Sequence, residues 1–230
     1  MLEEISGIGN FIREGGIASA LVCLVAIGAF AIAVERIVMI YSYGVNSRAF
    51  MAKLKKYILS DNIDRAISLC NSKSQALLPK VLKSGLTRAK DSVADIQNAV
   101  DETTLEVLPK LEARALYLPT LANMATLLGL FGTIYGLIIA FKGAGAAVDA
   151  VQRQAFLQTA IAIAMHTTAL GIFVAIPTLF VHVVLQSRIN AIISDIDQYS
   201  VKLINLLSAA QKMGRPQVTS DEDDAAHAND

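Results

Sequence analysis

Residues 129–136 read Gly-Leu-Phe-Gly-Thr-Ile-Tyr-Gly, in the middle of 26 residues, Leu116 to Phe141, that hold no Asp, Glu, Lys or Arg. A second charge-free run, Ala155 to Leu185, carries Thr167-Thr168 and then Ala175-Ile176-Pro177. Counting by three and four from Thr133 gathers Thr126, Gly129, Gly136 and Ala140 on one helical face. The same count in the later run gathers Ala164, Thr168, Gly171, Ala175, Thr178 and His182. The chemistry open to such faces is narrow. A threonine hydroxyl donates, accepts, orients water or ligates sodium, but does not titrate near neutral pH. Small residues let helix backbones approach closely. The faces therefore either pack helix on helix or line a narrow pore or a sleeve for another helix. The two readings are compatible, because a sleeve is also a packing surface.

Proton carriers inside a membrane are typically Asp, Glu or His. Neither long run contains a carboxylate. If protons pass along these faces, the titrating acid belongs to a second protein with a membrane-buried carboxylate. His166 lies two residues from Thr168, a rotation of about 200°, so it points away from that face and reads as a histidine bonded to a neighbouring helix. His182 falls on the face but near its end, where water reaches it. Glu35-Arg36 reads as a solvated boundary pair. The chain has no Cys/His metal spacing, no phosphate-binding glycine loop and no nucleophile elbow, so no enzyme, metal site or cofactor is expected. Nucleic acid is not expected as a partner either.

These residues must be positioned by helices in lipid. The chain is 54% hydrophobic and only 17% charged, against about 25% charged in an ordinary soluble domain. Three apolar runs cause the deficit. The first, Ile17 to Val34, spans about 27 Å as a helix, enough for a bilayer core. The others span roughly 39 and 46 Å, so they protrude or tilt. The acidic residues Glu3, Glu4 and Glu14 argue against a cleaved leader at the amino end. Cys23 and Cys70 fall in different environments and are not expected to pair.

Lysine and arginine set the orientation. Twelve lie between Ser42 and Arg114, whereas the segment Lys142 to Gln154 holds two. The basic loop is therefore cytoplasmic. The expected plan is a periplasmic arm (1–16), a first span (17–36), a cytoplasmic helical domain (37–115), a second span (116–141), a periplasmic loop (142–154), a third span (155–185), a cytoplasmic helix (186–213) and a disordered acidic tail (214–230). Helices are expected at Arg48–Leu59, Ile63–Asn71 and Leu77–Ala89. Another, Ser92–Arg114, should run straight into the second span with bends at Pro109 and Pro119. The stripe Ile189, Ile192, Ile193, Ile196, Tyr199, Leu203, Leu206 and Leu207 continues the third span as an amphipathic helix.

Leu128 to Gly136, followed by Ala140-Phe141, resembles the second-span signature of the MotA/TolQ/ExbB proton-channel proteins. Thr168-Ala169-Leu170-Gly171 with Val174-Ala175-Ile176-Pro177 resembles the matching third-span signature, and Val34-Glu35-Arg36 resembles the end of the first span. Three spans with a large cytoplasmic loop resemble the ExbB/TolQ branch more than the four-span MotA branch. The resemblance implies an all-α oligomeric ring, a homopentamer in a bacterial inner membrane. It also implies an ExbD/TolR/MotB-like single-span partner with a membrane aspartate inside the ring. The implied function is conversion of proton motive force into mechanical work on a periplasmic or outer-membrane system. Thr133 and Thr168 match the pore threonines and would face the partner's aspartate; Thr126, Gly129, Gly136, Gly171, Ala175 and Thr178 would line the same pore. Ile163 stands where the ExbB and TolQ proteins usually carry a glutamate, five residues before the third-span threonine. That departure implies another branch, a gliding-motility or dedicated transport motor. Two alternatives stay open: a non-conducting scaffold that holds a partner helix, and a motor driven by sodium.

Overall fold

The structure, a computed structural model, describes residues 16–60, 62–73, 75–146 and 149–214. The amino-terminal arm (except Gly16) and the acidic tail (after Gly214) lie outside the described residues. Among those described, all regular structure is helical: α1 (Gly16–Tyr43), α2 (Ser47–Leu59), α3 (Ile63–Asn71), α4 (Leu77–Thr87), α5 (Val93–Glu112), α6 (Tyr117–Ala146) and α7 (Ala150–Gly214). Three helical stretches are long and apolar enough to cross a membrane, and they contain the three apolar runs. This is an all-α membrane protein.

Local chemistry explains where the shorter helices start. The Asn46 side chain accepts a hydrogen bond from the Ala49 amide (3.3 Å) and caps α2. Ahead of α5, the Ser92 hydroxyl oxygen accepts from the Asp95 amide (3.2 Å) while its proton goes to the Asp95 carboxylate (2.6 Å). The hydroxyl thus caps the first turn of α5. Pro177 stands inside α7 without ending it.

The chain divides into two compact units. The first gathers residues up to Tyr41 and Leu111–Asn190. It leaves large apolar side chains in the open on every helix: Leu24 and Phe30 on α1, Leu127 and Ile134 on α6, Phe173 and Phe180 on α7. Faces of this extent are unfavourable in water, at about 25 cal/mol per Å², and are at ease against lipid or another apolar helix.

The second unit gathers Ser42–Lys110 and the chain from Ala191 onward. Its core is an ordinary soluble one. Leu54, Leu82, Leu86, Ile96 and Val100 are buried with Ile196 and Leu203 of the expected stripe. A Cβ on Gly85 would come within 2.8 Å of Val100 Cγ2 and 3.1 Å of Leu203 Cδ2, so α4, α5 and α7 meet closely there. The Ser47 hydroxyl donates to the Asp195 carboxylate (2.6 Å), tying the start of α2 to α7. Lys80 and Lys110 flank Glu106 at 2.9 and 2.6 Å. Hydrogen bonds from Lys110 and then Lys80 pull the Glu106 carboxyl down to about 2. Burial pushes the Cys70 thiol up to about 11, only partly offset by the charge on Lys83. At neutral pH Cys70 is therefore a packed thiol rather than a nucleophile.

One expectation is corrected. The helix before the second span does not run straight through with proline bends. Pro109 sits inside α5, Pro119 falls in the first turn of α6, and the two helices are separated by turns at 113–116. The break is at Arg114, whose φ of 59° is left-handed, the one such non-glycine residue among those described. A proline early in α6 is benign, because the first turn's N–H groups have no intrahelical acceptor.

Candidate functional site

The two small-residue faces meet each other within the first unit. A Cβ built on Gly171 would lie 2.6 Å from the Ala125 carbonyl oxygen and 3.1 Å from Gly129 Cα. One built on Gly136 would lie 2.8 Å from Ala164 Cβ. Any side chain larger than hydrogen at these points would force α6 and α7 apart. Only the glycines permit the backbone approach, and the approach delivers the threonines to one another.

At that crossing the Thr133 and Thr168 hydroxyls are hydrogen-bonded to each other. Thr168 Oγ1 also lies 3.0 Å from the Gly129 carbonyl. Thr133 Oγ1 lies 3.2 Å from the Ala164 carbonyl and 3.3 Å from that of Gly129. The neighbouring Thr167 hydroxyl donates to the Ala164 carbonyl (2.8 Å). Each hydroxyl has one proton, so two arrangements satisfy the pair. In one, Thr168 donates to Gly129 and Thr133 donates to Thr168. In the other, Thr133 donates to Ala164 or Gly129 and Thr168 donates to Thr133. Either way both protons are used within the chain, while lone pairs on the two oxygens stay free to accept. Thr133 and Thr168 are half-buried, and Thr167 is buried.

The remaining expected site residues are spread more widely. Gly129 and Ala175 are buried and Gly136 half-buried. Thr126 is exposed, with its hydroxyl on the Ala122 carbonyl (3.2 Å). Thr178 is half-buried and bonds its own turn at Val174 (2.8 Å). His166 is half-buried on α7. The His182 Nδ1 is 3.2 Å from the Ala115 carbonyl; a carbonyl only accepts, so that nitrogen carries the proton. Glu35-Arg36 is not the solvated pair expected. Glu35 pairs with Arg114, the left-handed residue between α5 and α6, and Arg36 is buried with 3% of its surface exposed. The two residues are 79 apart in sequence, so no local spacing could have paired them.

Two site residues escaped the count. Gly132 and Thr167 are each three residues beyond a counted position, Gly129 and Ala164. A Cβ on Gly132 would lie 2.5 Å from Thr167 Oγ1 and 3.0 Å from Ala18 Cβ. Gly132 is therefore where α1, α6 and α7 converge. A wider arc, with the step of three taken once more from each, would have found both.

Among the described residues no group of His, Cys, Asp and Glu is arranged to hold a metal ion. The site is instead a polar notch of hydroxyls and carbonyls between apolar helices.

Comparison with known proteins bears on the same residues. A family model for the MotA/TolQ/ExbB proton channel family matches residues 73–198, which contains both threonine faces and more than half of the chain. A Tol-Pal system protein TolQ from Haemophilus influenzae is 35% identical over 100 residues, covering 44% of this chain and 43% of that protein. The match thus spans less than half the length of that relative. Three membrane-length helices, two small-residue faces and a family match across both make the assignment: this chain belongs to the MotA/TolQ/ExbB proton channel family.

Proposed function

We propose that this chain is the wall-forming subunit of a proton-driven motor in a bacterial inner membrane, with its amino terminus in the periplasm and its carboxyl terminus in the cytoplasm. In this reading five copies form a ring around an ExbD/TolR-like single-span partner. The partner's membrane aspartate carries the proton, and the work is delivered to an envelope system of the Tol-Pal kind. The chain supplies no covalent chemistry.

The observation that carries the reading is the Thr133–Thr168 pair, set in two charge-free helices that lack a carboxylate of their own. Because both hydroxyl protons are already engaged, the pair meets a visiting group first as an acceptor. It favours a protonated carboxyl or a water molecule, each of which brings a proton. To greet a carboxylate it must give up an internal bond to Gly129 or Ala164, at a cost of about 1 kcal/mol. Small switching energies of this size suit a site that binds and releases an acid repeatedly.

One observation favours a second reading, the non-conducting scaffold. The same internal hydrogen bonds make the notch self-sufficient as a packing device. Vesicles separate the two. Reconstituted with the partner, the wild-type chain should carry proton flux, and Thr168→Val should assemble normally while flux falls. Full flux in the variant would remove Thr168 from the mechanism, and no flux in the wild type would favour the scaffold. Replacing the proton gradient by a sodium gradient tests the coupling ion.

A further inference from the structure

The helix α2 reads Ser-Arg-Ala-Phe-Met-Ala-Lys-Leu-Lys-Lys-Tyr-Ile-Leu, with four cations and no acid. Phe50, Met51, Leu54 and Ile58 are buried in the second unit, and Arg48, Lys53, Lys55 and Lys56 all lie on the exposed side. At 100° per residue the four share one outer arc. Three other cations in this unit sit beside carboxylates, in Lys80–Glu106–Lys110 and Arg88–Asp91. None of the four on α2 has a salt bridge among the described residues. A face of like charges without counter-charge repels itself and draws an acidic ligand.

The geometry of the second unit places an acidic segment of the same chain within reach. Near the end of α7, Gln211 Nε2 donates to the Ala89 and Asp91 carbonyls (2.8 and 2.9 Å). Gln211 and Ala210 line one groove with Ile58, in the last turn of α2. The chain therefore leaves α7 at Gly214 beside the carboxyl end of α2. Seven residues later come Asp221-Glu222-Asp223-Asp224. Seven residues reach at most about 24 Å. The helix α2 is about 20 Å long. Four negative charges can thus lie along four positive ones without any strain in the connection.

We propose that the acidic segment Asp221-Glu222-Asp223-Asp224 docks on the basic outer face of α2 of its own chain. The tether raises its local concentration to the millimolar range, enough for weak charge pairing that a free peptide would not achieve. The contact is held by exposed charges, so salt should release it.

Carbodiimide coupling tests this, because it joins carboxylates to amines only where they touch. The full-length complex in detergent is treated at low salt and mapped by mass spectrometry. Links from Asp221–Asp224 to Lys53, Lys55 or Lys56 are expected, falling at least fivefold in 0.5 M NaCl. A variant with Asp221→Asn, Glu222→Gln, Asp223→Asn and Asp224→Asn should lose them, and its α2 lysines should gain reactivity toward an amine-labelling reagent. Links spread evenly over all exposed lysines, or confined to Lys212, would overturn the proposal. So would unchanged labelling of α2 in the neutralised variant, which would leave the face to an external acidic partner. Mixing isotopically labelled and unlabelled chains sets the last condition: links found solely between chains would overturn the same-chain assignment.

Discussion

At the scale of single residues, the site depends on what is missing as much as on what is present. Gly171 has a carbonyl oxygen 2.6 Å from where its Cβ would be, and backbone atoms cannot swing aside as a side-chain tip can. Gly171→Ala should therefore destabilise the α6–α7 crossing by about 1–3 kcal/mol, the usual cost of overfilling a packed contact. A lowered thermal midpoint in detergent, with helix content retained, would report it. Thr168→Val keeps the shape and removes the hydroxyl. Losing the hydrogen bond that Thr168 would offer the passing proton carrier, about 1 kcal/mol, should depress proton flux roughly fivefold while leaving the complex intact on size exclusion. The faces holding Thr133 and Thr168 were legible in the sequence because helical periodicity needs only residue size and spacing. Gly132 and Thr167 were not, because a single stripe is narrower than the arc that two helices bury when a third, α1, joins them at Ala18. The partner of Glu35 was hidden for a different reason. It depends on a left-handed backbone at an arginine, which no residue preference announces.

At the scale of elements, the joint between α5 and α6 offers the sharpest test. Arg114 holds φ at 59°, where a side chain costs about 1–2 kcal/mol relative to glycine. Its exposed pairing with Glu35 returns only about 0–1 kcal/mol. Arg114→Gly relieves the backbone and loses the pair, so it should match the native chain or exceed it by up to about 2 kcal/mol. Arg114→Ala loses the pair without the relief and should melt below the glycine variant. Equal melting of the two would mean that the left-handed turn is not retained. Glu106, in the second unit, gives a separate test. Its carboxyl falls from its ordinary 4.5 to about 2 because Lys110 and Lys80 hold the ionised form. The stabilisation it lends is present above pH 4.5 and is lost as pH falls through about 2. NMR titration should find the Glu106 carboxyl still ionised at pH 3, and Lys110→Gln should move its midpoint up toward 4.5. Helix positions in this unit were readable to within two residues, since caps such as Asn46 and amphipathic spacing are local. The break at 113–116 was not readable, because alanine, arginine and leucine all favour continuing a helix.

At the scale of the whole molecule, the exposed apolar faces of α1, α6 and α7 set the requirement for neighbours. A ring of five copies predicts a detergent-free protein mass near five times 24.6 kDa, and light scattering with detergent correction measures it. A mass matching one or two copies would remove the ring. One helical break and one continuity also decide where the chain tolerates insertion. The four-residue turn at 113–116 interrupts the helical phase, so an extra residue in α5 need not rotate the threonine face that follows. The helix α7 has no such interruption from Ala150 to Gly214. One added residue would shift the helical phase of the positions that follow it in α7 by about 100°. Length variation among relatives should therefore collect before α6 and be purged from α7, where each insertion would put the apolar stripe out of step with its own helix.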